Sequence, residues 1–69
     1  MANAYWAEYV NANGFATLQT LIARSESLAR TAFTEIEHDT ADDPPGTVEI
    51  RLTKNGYVID AITRKELTQ

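Results

Sequence analysis

The chain predicts an α+β fold, an antiparallel sheet of two β-hairpins in ββαββ order with one helix packed on one face. Three observations carry that prediction. The dipeptide Asn-Gly occurs at Asn13-Gly14 and Asn55-Gly56, each time followed by an aromatic residue. Asn-Gly between alternating apolar residues signals a hairpin, because a type I′ turn needs φ > 0 at both central positions. Between the two turns lies an apolar stripe at helical spacing, and around the second turn apolar and polar residues alternate strictly.

The first hairpin spans residues 4–23, with Tyr5 to Ala12 paired to Phe15 to Ala23. A two-residue turn sets Tyr9 against Leu18, Ala7 against Thr20 and Tyr5 against Ile22, an apolar face for the helix to cover. On the other face Trp6 lies opposite Leu21, Val10 opposite Thr17, and Phe15 beside Ala12. Residues 15–24 also admit another reading. Phe15, Leu18, Leu21, Ile22, Leu28 and Phe33 fit one long helix over 15–38, which makes the order βαββ or ααββ. Thr17, Thr20, the turn chemistry and Ser25 as an internal cap favour the strand.

The helix is expected over 25–38. Ser25 is a good N-cap, and Glu26 in the first turn complements the helix dipole. Leu28, Ala29, Ala32, Phe33 and Ile36 form the apolar stripe, with Arg30, Thr31, Thr34, Glu35 and Glu37 on the wet side. The loop 39–46, Asp-Thr-Ala-Asp-Asp-Pro-Pro-Gly, ends the helix because two prolines and a glycine cannot continue it. The second hairpin, 47–63, places Val48, Ile50 and Leu52 inward. Closing the turn at Asn55-Gly56 sets Leu52 against Ile59, Ile50 against Ala61, Val48 against Thr63 and Arg51 across from Asp60. A short tail, 64–69, follows.

Sixty-nine residues make a single domain that buries only about 60% of its unfolded surface. Without cysteine it has no disulfide and no thiolate metal site. No apolar run is long enough to span a membrane, and the opening Met-Ala-Asn-Ala-Tyr-Trp lacks the regions of a signal peptide. The expected location is cytoplasmic. Net charge is −4, and its placement matters more than its sum. Residues 35–46 hold Glu35, Glu37, Asp39, Asp42 and Asp43 with no Lys or Arg, whereas residues 47–69 are slightly basic. Direct nucleic-acid binding is disfavoured, since phosphate contacts need a concentrated basic face. A basic protein surface fits better as a partner, such as the groove of a nucleic-acid-binding complex.

Two sets of residues are candidate partner contacts. The acidic segment Glu35, Glu37, Asp39, Asp42 and Asp43 can imitate nucleic-acid phosphates or dock on a basic groove; its bland alternative is a solvated helix end. The apolar set Trp6, Val10, Phe15 and Leu21 can form an interaction surface, because a small antiparallel sheet normally leaves its uncovered face polar. Its alternative is that the chain curls and buries Trp6. His38, Asp39, Asp42 and Asp43 carry metal-capable groups, but their spacing matches no EF-hand and Pro44-Pro45 follows where ligands belong. Arg51, Lys54, Arg64 and Lys65 make a small basic patch or, more simply, a solubilising tail. One histidine, no cysteine and serines in capping positions give no catalytic constellation, so no enzyme, metal or cofactor is expected.

The run Ile22-Ala-Arg-Ser-Glu-Ser-Leu-Ala-Arg-Thr-Ala-Phe33, a strand end entering a Ser-capped helix, is similar in layout to a segment of several small phage-borne anti-CRISPR proteins. The opening Ala4-Tyr5 strand and the hairpin from Val48 to Ile62 fit the same layout. The resemblance implies a non-enzymatic inhibitor, acting in the host cytoplasm, that binds a CRISPR effector complex and prevents target-DNA recognition. Some of those proteins are basic along the helix, and this chain is not apart from Arg24 and Arg30, so no functional residue is carried over. From a different class comes the alternative of a structural or assembly subunit forming a homodimer through its sheet.

Overall fold

The computed structural model describes residues 3–64, so Lys65 and the rest of the expected tail lie outside the described residues. Its elements are β1 (Tyr5–Asn11), β2 (Ala16–Ala23), α1 (Glu26–His38), β3 (Thr47–Lys54) and β4 (Tyr57–Thr63). The strands form one four-stranded sheet in the order β2-β1-β3-β4, with antiparallel pairing throughout. The two hairpins thus lie side by side, joined along β1 and β3. Residues 16–23 are a strand, so the alternatives with a long helix over 15–38 do not apply.

One face of the sheet carries the core. Tyr5, Ala7 and Tyr9 of β1 and Ile50 and Leu52 of β3 are buried with Ala29 and Phe33 of α1. Ile22, Ala23, Ile36, Ile59 and Ile62 pack around them. The helix begins where the sequence places it. The Ser25 hydroxyl accepts a hydrogen bond from the Leu28 N–H at 3.4 Å, satisfying one of the free donors of the first turn. Leu28 itself is 64% exposed. At about 100° per residue it points about 140° from Phe33, outside the stripe that Ala29 and Phe33 centre on the sheet.

The two Asn-Gly sites form different turns. Asn55 (φ 51°) and Gly56 (φ 92°) are both left-handed, as a type I′ turn requires, and Lys54 pairs with Tyr57. At the first site only Gly14 (φ 86°) has positive φ. The Gly14 N–H donates to the Asn11 carbonyl at 2.9 Å, and the Asn11 N–H donates to the Phe15 carbonyl at 2.9 Å. The cause is Asn11, whose side-chain oxygen accepts from the N–H of Asn13 (2.9 Å) and of Phe15 (3.1 Å). These bonds favour a three-residue loop over the expected two-residue turn. Phe15 closes that loop against Asn11, and β2 starts at the next residue, Ala16.

Several expected registers shift by one residue. In the first hairpin Ala7–Thr20, Tyr9–Leu18 and Trp6–Leu21 pair as expected, but Tyr5 meets Ala23 and Val10 meets Ala16. In the second hairpin a bulge between Leu52 and Thr53 leaves Ile59 unopposed. Leu52 then faces Asp60, Ile50 faces Ile62, Arg51 faces Ala61 and Glu49 faces Thr63. The physical reason is core composition. A regular strand would turn Ile59, Ala61 and Thr63 toward the helix; the bulge turns Ile59 and Ile62 there instead. Exchanging an alanine for an isoleucine at a core position gains up to about 2 kcal/mol of apolar burial. The expected Arg51–Asp60 pair is accordingly absent. Arg51 bonds Glu49 at 3.2 Å, and Asp60 meets Arg30 of the helix at 3.1 Å.

Candidate binding surfaces

At the end of α1 the chain must satisfy free backbone carbonyls while turning through an acidic loop. Asp39 ends the helix. Its N–H donates to the Glu35 carbonyl, and its carboxylate accepts from the Ala41 N–H at 3.0 Å. Arg64, immediately after β4, completes the closure. Its guanidinium donates to the carbonyls of Ile36 and Glu37, the latter at 2.8 Å, and to both carboxylate oxygens of Asp43, the shorter at 2.7 Å. The Arg64 and Asp43 side chains are only 12% and 13% exposed. A planar fork suits this work because it can bind two carbonyls and a carboxylate together. Arg64 is thus a clamp between helix end, loop and sheet, correcting the expectation of a solubilising tail. Asp43 is correspondingly spent on structure and is not free for a partner.

Glu35, Glu37, Asp39 and Asp42 form no ion pair among the described residues. They do not make one patch. Glu35, Asp39 and Asp42 border a cleft of about 310 Å³ between α1 and the first hairpin, whose other walls are Tyr9, Ile22, Ala32 and Ile36. Glu37 points instead into a cleft of about 320 Å³ between α1 and β4, lined also by Arg30, Phe33, Asp60 and Ile62. There Arg30 is held by Glu26 at 3.3 Å and Asp60 at 3.1 Å. Those charges largely answer one another.

Tyr9 is the member of the first cleft that the sequence did not mark. It is 6% exposed, and its backbone carbonyl accepts a hydrogen bond from the Thr17 hydroxyl at 3.3 Å. Burial pushes its pKa upward, Asp43 and Asp42 push it further, and Arg64 opposes them. Its phenol therefore lies within the field of the acidic loop. The spacing of Tyr9 in β1 reads only as core, and its nearness to the loop follows from the Arg64 clamp, which leaves no local sequence trace.

The uncovered sheet face is built in rows. Leu21, Trp6, Thr53 and Val58 lie side by side across the four strands, and Gln19, Glu8, Arg51 and Ala61 form the next row. Trp6 is half-buried and Leu21 and Val58 are exposed, so this row is apolar, while Gln19 donates to Glu8 at 2.6 Å in the polar row. The expected set of Trp6, Val10, Phe15 and Leu21 is not one surface. Four residues of strand, about 13 Å, separate Trp6 from Val10. Val10 is 2% exposed, and Phe15, 68% exposed, projects from the loop at that far end. Trp6 and Leu21 alone are brought together.

No family model, curated protein or solved structure matches the chain. Among the described residues, no helix is long and apolar enough to cross a membrane.

Proposed function

We propose that this chain is a non-catalytic binding protein whose acidic end, formed by the last turns of α1 and the loop after it, docks on and occludes a basic surface of a protein partner. The observation that carries this reading is the arrangement of Glu35, Glu37, Asp39 and Asp42, four carboxylates without an ion pair among the described residues, beside a loop anchored by Arg64 and Asp43. A fixed loop loses little conformational freedom on binding, and unpaired carboxylates on both sides of one helix end attract a basic surface at low salt. A lysine-rich peptide serves as the test probe. Its affinity should fall several-fold between low and physiological salt, and the triple variant E35Q/E37Q/D42N should lose most of that dependence. Equal affinity of the variant would remove this reading.

The finer proposal, drawn from the layout shared with phage-borne anti-CRISPR proteins, is that the basic surface is the DNA-recognition groove of a CRISPR effector complex. Expression of the chain in a CRISPR-immune host should then restore plating of the targeted phage. Failure across effector types would remove this finer proposal and leave the coarser one standing.

A second reading has its own support. Strand β2, Ala-Thr-Leu-Gln-Thr-Leu-Ile-Ala, is an edge strand of eight residues without charge or proline, whereas the other edge, β4, carries Asp60. Unprotected edges pair with other strands, here in a homodimer through the sheet. Sedimentation should then give a concentration-dependent mass that L18K shifts to monomer. A constant monomer mass removes it.

A further inference from the structure

We propose that Asn13 is a site of spontaneous deamidation in the folded chain, and that the carboxylate it gains joins the acidic end. Asn-Gly is the pair most open to this reaction, because glycine has no Cβ to shield its nitrogen. The Gly14 backbone nitrogen attacks the side-chain Cγ of Asn13. An N–Cγ bond forms, the Cγ–Nδ2 bond breaks, and Nδ2 leaves as ammonia with the proton of the Gly14 amide. Water then opens the cyclic imide at either carbonyl, giving aspartate or, with a methylene added to the main chain, isoaspartate.

The chain has two such pairs, both exposed, and the bonds that hold each of them separate the two. The Asn55 side chain is fixed at both polar atoms. Its oxygen accepts from the Ala4 N–H at 3.2 Å, and its nitrogen donates to the Asn3 side-chain oxygen at 3.3 Å. Its own N–H donates to the Ala4 carbonyl at 3.0 Å. The Asn55 carboxamide must release both of its bonds before it can close on the Gly56 nitrogen. The Asn13 carboxamide makes no hydrogen bond among the described residues; only the Asn13 N–H is held, by the Asn11 side chain. One contact restrains the attacking nitrogen, the Gly14 N–H donated to the Asn11 carbonyl at 2.9 Å. That bond lies within an exposed loop, where single turns open at little cost.

The topology puts the two sites at opposite ends of the sheet. Asn55 sits beside Ala4, at the start of β1. Asn11, which closes the loop around Asn13, pairs with Thr47, the residue into which the acidic loop leads. A carboxylate at position 13 therefore stands at the end that carries Glu35, Glu37, Asp39 and Asp42, and one at position 55 does not. Resting on the acidic-end reading, the modification strengthens docking on a basic surface as the chain ages.

The test incubates the full chain in mildly alkaline buffer and reads each site by peptide mapping with mass spectrometry. Asn13 should convert at least about fivefold faster than Asn55, the factor that one retained hydrogen bond imposes. In urea the fold no longer distinguishes two similar local sequences, and the rates should agree within about twofold. N3A, which removes one anchor of Asn55, should speed that site and leave Asn13 unchanged. Equal rates in the folded chain, or faster conversion at Asn55, would overturn the proposal. So would a difference that persists in urea, because sequence and not structure would then choose the site. For binding, N13D should hold the lysine-rich peptide more tightly than N55D at low salt. If Asn13 converts first but the two variants bind alike, the modification stands and its coupling to docking falls. If no form of the chain binds the peptide, the acidic-end reading falls and takes the coupling with it.

Discussion

Replacing Arg64 by alanine is the perturbation that probes the architecture of the acidic end most deeply. The guanidinium serves two helix-end carbonyls and the Asp43 carboxylate, with both side chains about seven-eighths buried. Breaking one partner of a buried pair costs about 3–5 kcal/mol, and the residual exposure of this one lowers the expectation to about 2–4 kcal/mol. A chain of 69 residues has about 3–10 kcal/mol of total stability. R64A should therefore lower Tm by about 10–30 °C in a melt followed by far-UV circular dichroism. R64K keeps the charge but not the fork and should fall between. A double-mutant cycle with D43A should return a coupling of about 1–3 kcal/mol, because the double variant leaves no buried carboxylate unpaired. A loss below about 0.5 kcal/mol for R64A would refute the clamp, since that is the range of an ordinary surface substitution.

Three further outcomes follow from the fold and the cleft. Phe33→Ala should cost about 3–5 kcal/mol in urea unfolding, as the large side chain of α1 buried against the sheet is removed. Gly56→Ala places a Cβ at φ 92° and should cost about 1–2 kcal/mol, although no neighbouring atom crowds the site. Tyr9 should titrate above the ordinary tyrosine value when followed by ultraviolet absorbance at alkaline pH. Because its folded pKa is raised, it holds its proton more tightly when folded. The stability it contributes is complete below the unfolded value near 10 and is lost as pH rises through the folded value, so Y9F should flatten that part of the pH profile.

The sequence made the second turn, the helix and its cap legible because each depends on local chemistry. Asn55-Gly56 tolerates two left-handed residues, and Ser25 meets the donors of its own helix. What it concealed depended on contacts made elsewhere. The bulge at Ile59 answers to the core under α1, although a trace was present: Ile59 and Ile62 are three apart and cannot share a face of a regular strand. The first turn was misread because Asn11, two residues before the Asn-Gly pair, takes control of the loop with its side chain. Among the candidate contacts, Glu35, Asp39 and Asp42 converge as carboxylates near in sequence can. Asp43 was lost to Arg64, twenty-one positions away, and Tyr9 entered the cleft from the opposite layer of the fold. Apolar alternation placed Trp6 and Leu21 together, yet it could not show that the strand length holds Val10 and Phe15 apart from them.

The central claim is that the position of the carboxylates, and not the net charge, makes the binding surface. Affinity for the lysine-rich peptide should be compared at low salt between two charge-matched variants, E35Q/E37Q/D42N and E8Q/E26Q/E49Q, each lacking three carboxylates. The account predicts at least about a tenfold weaker affinity for the first and a change within about threefold for the second. Equal losses in both would mean that the peptide senses only total charge, and would contradict it.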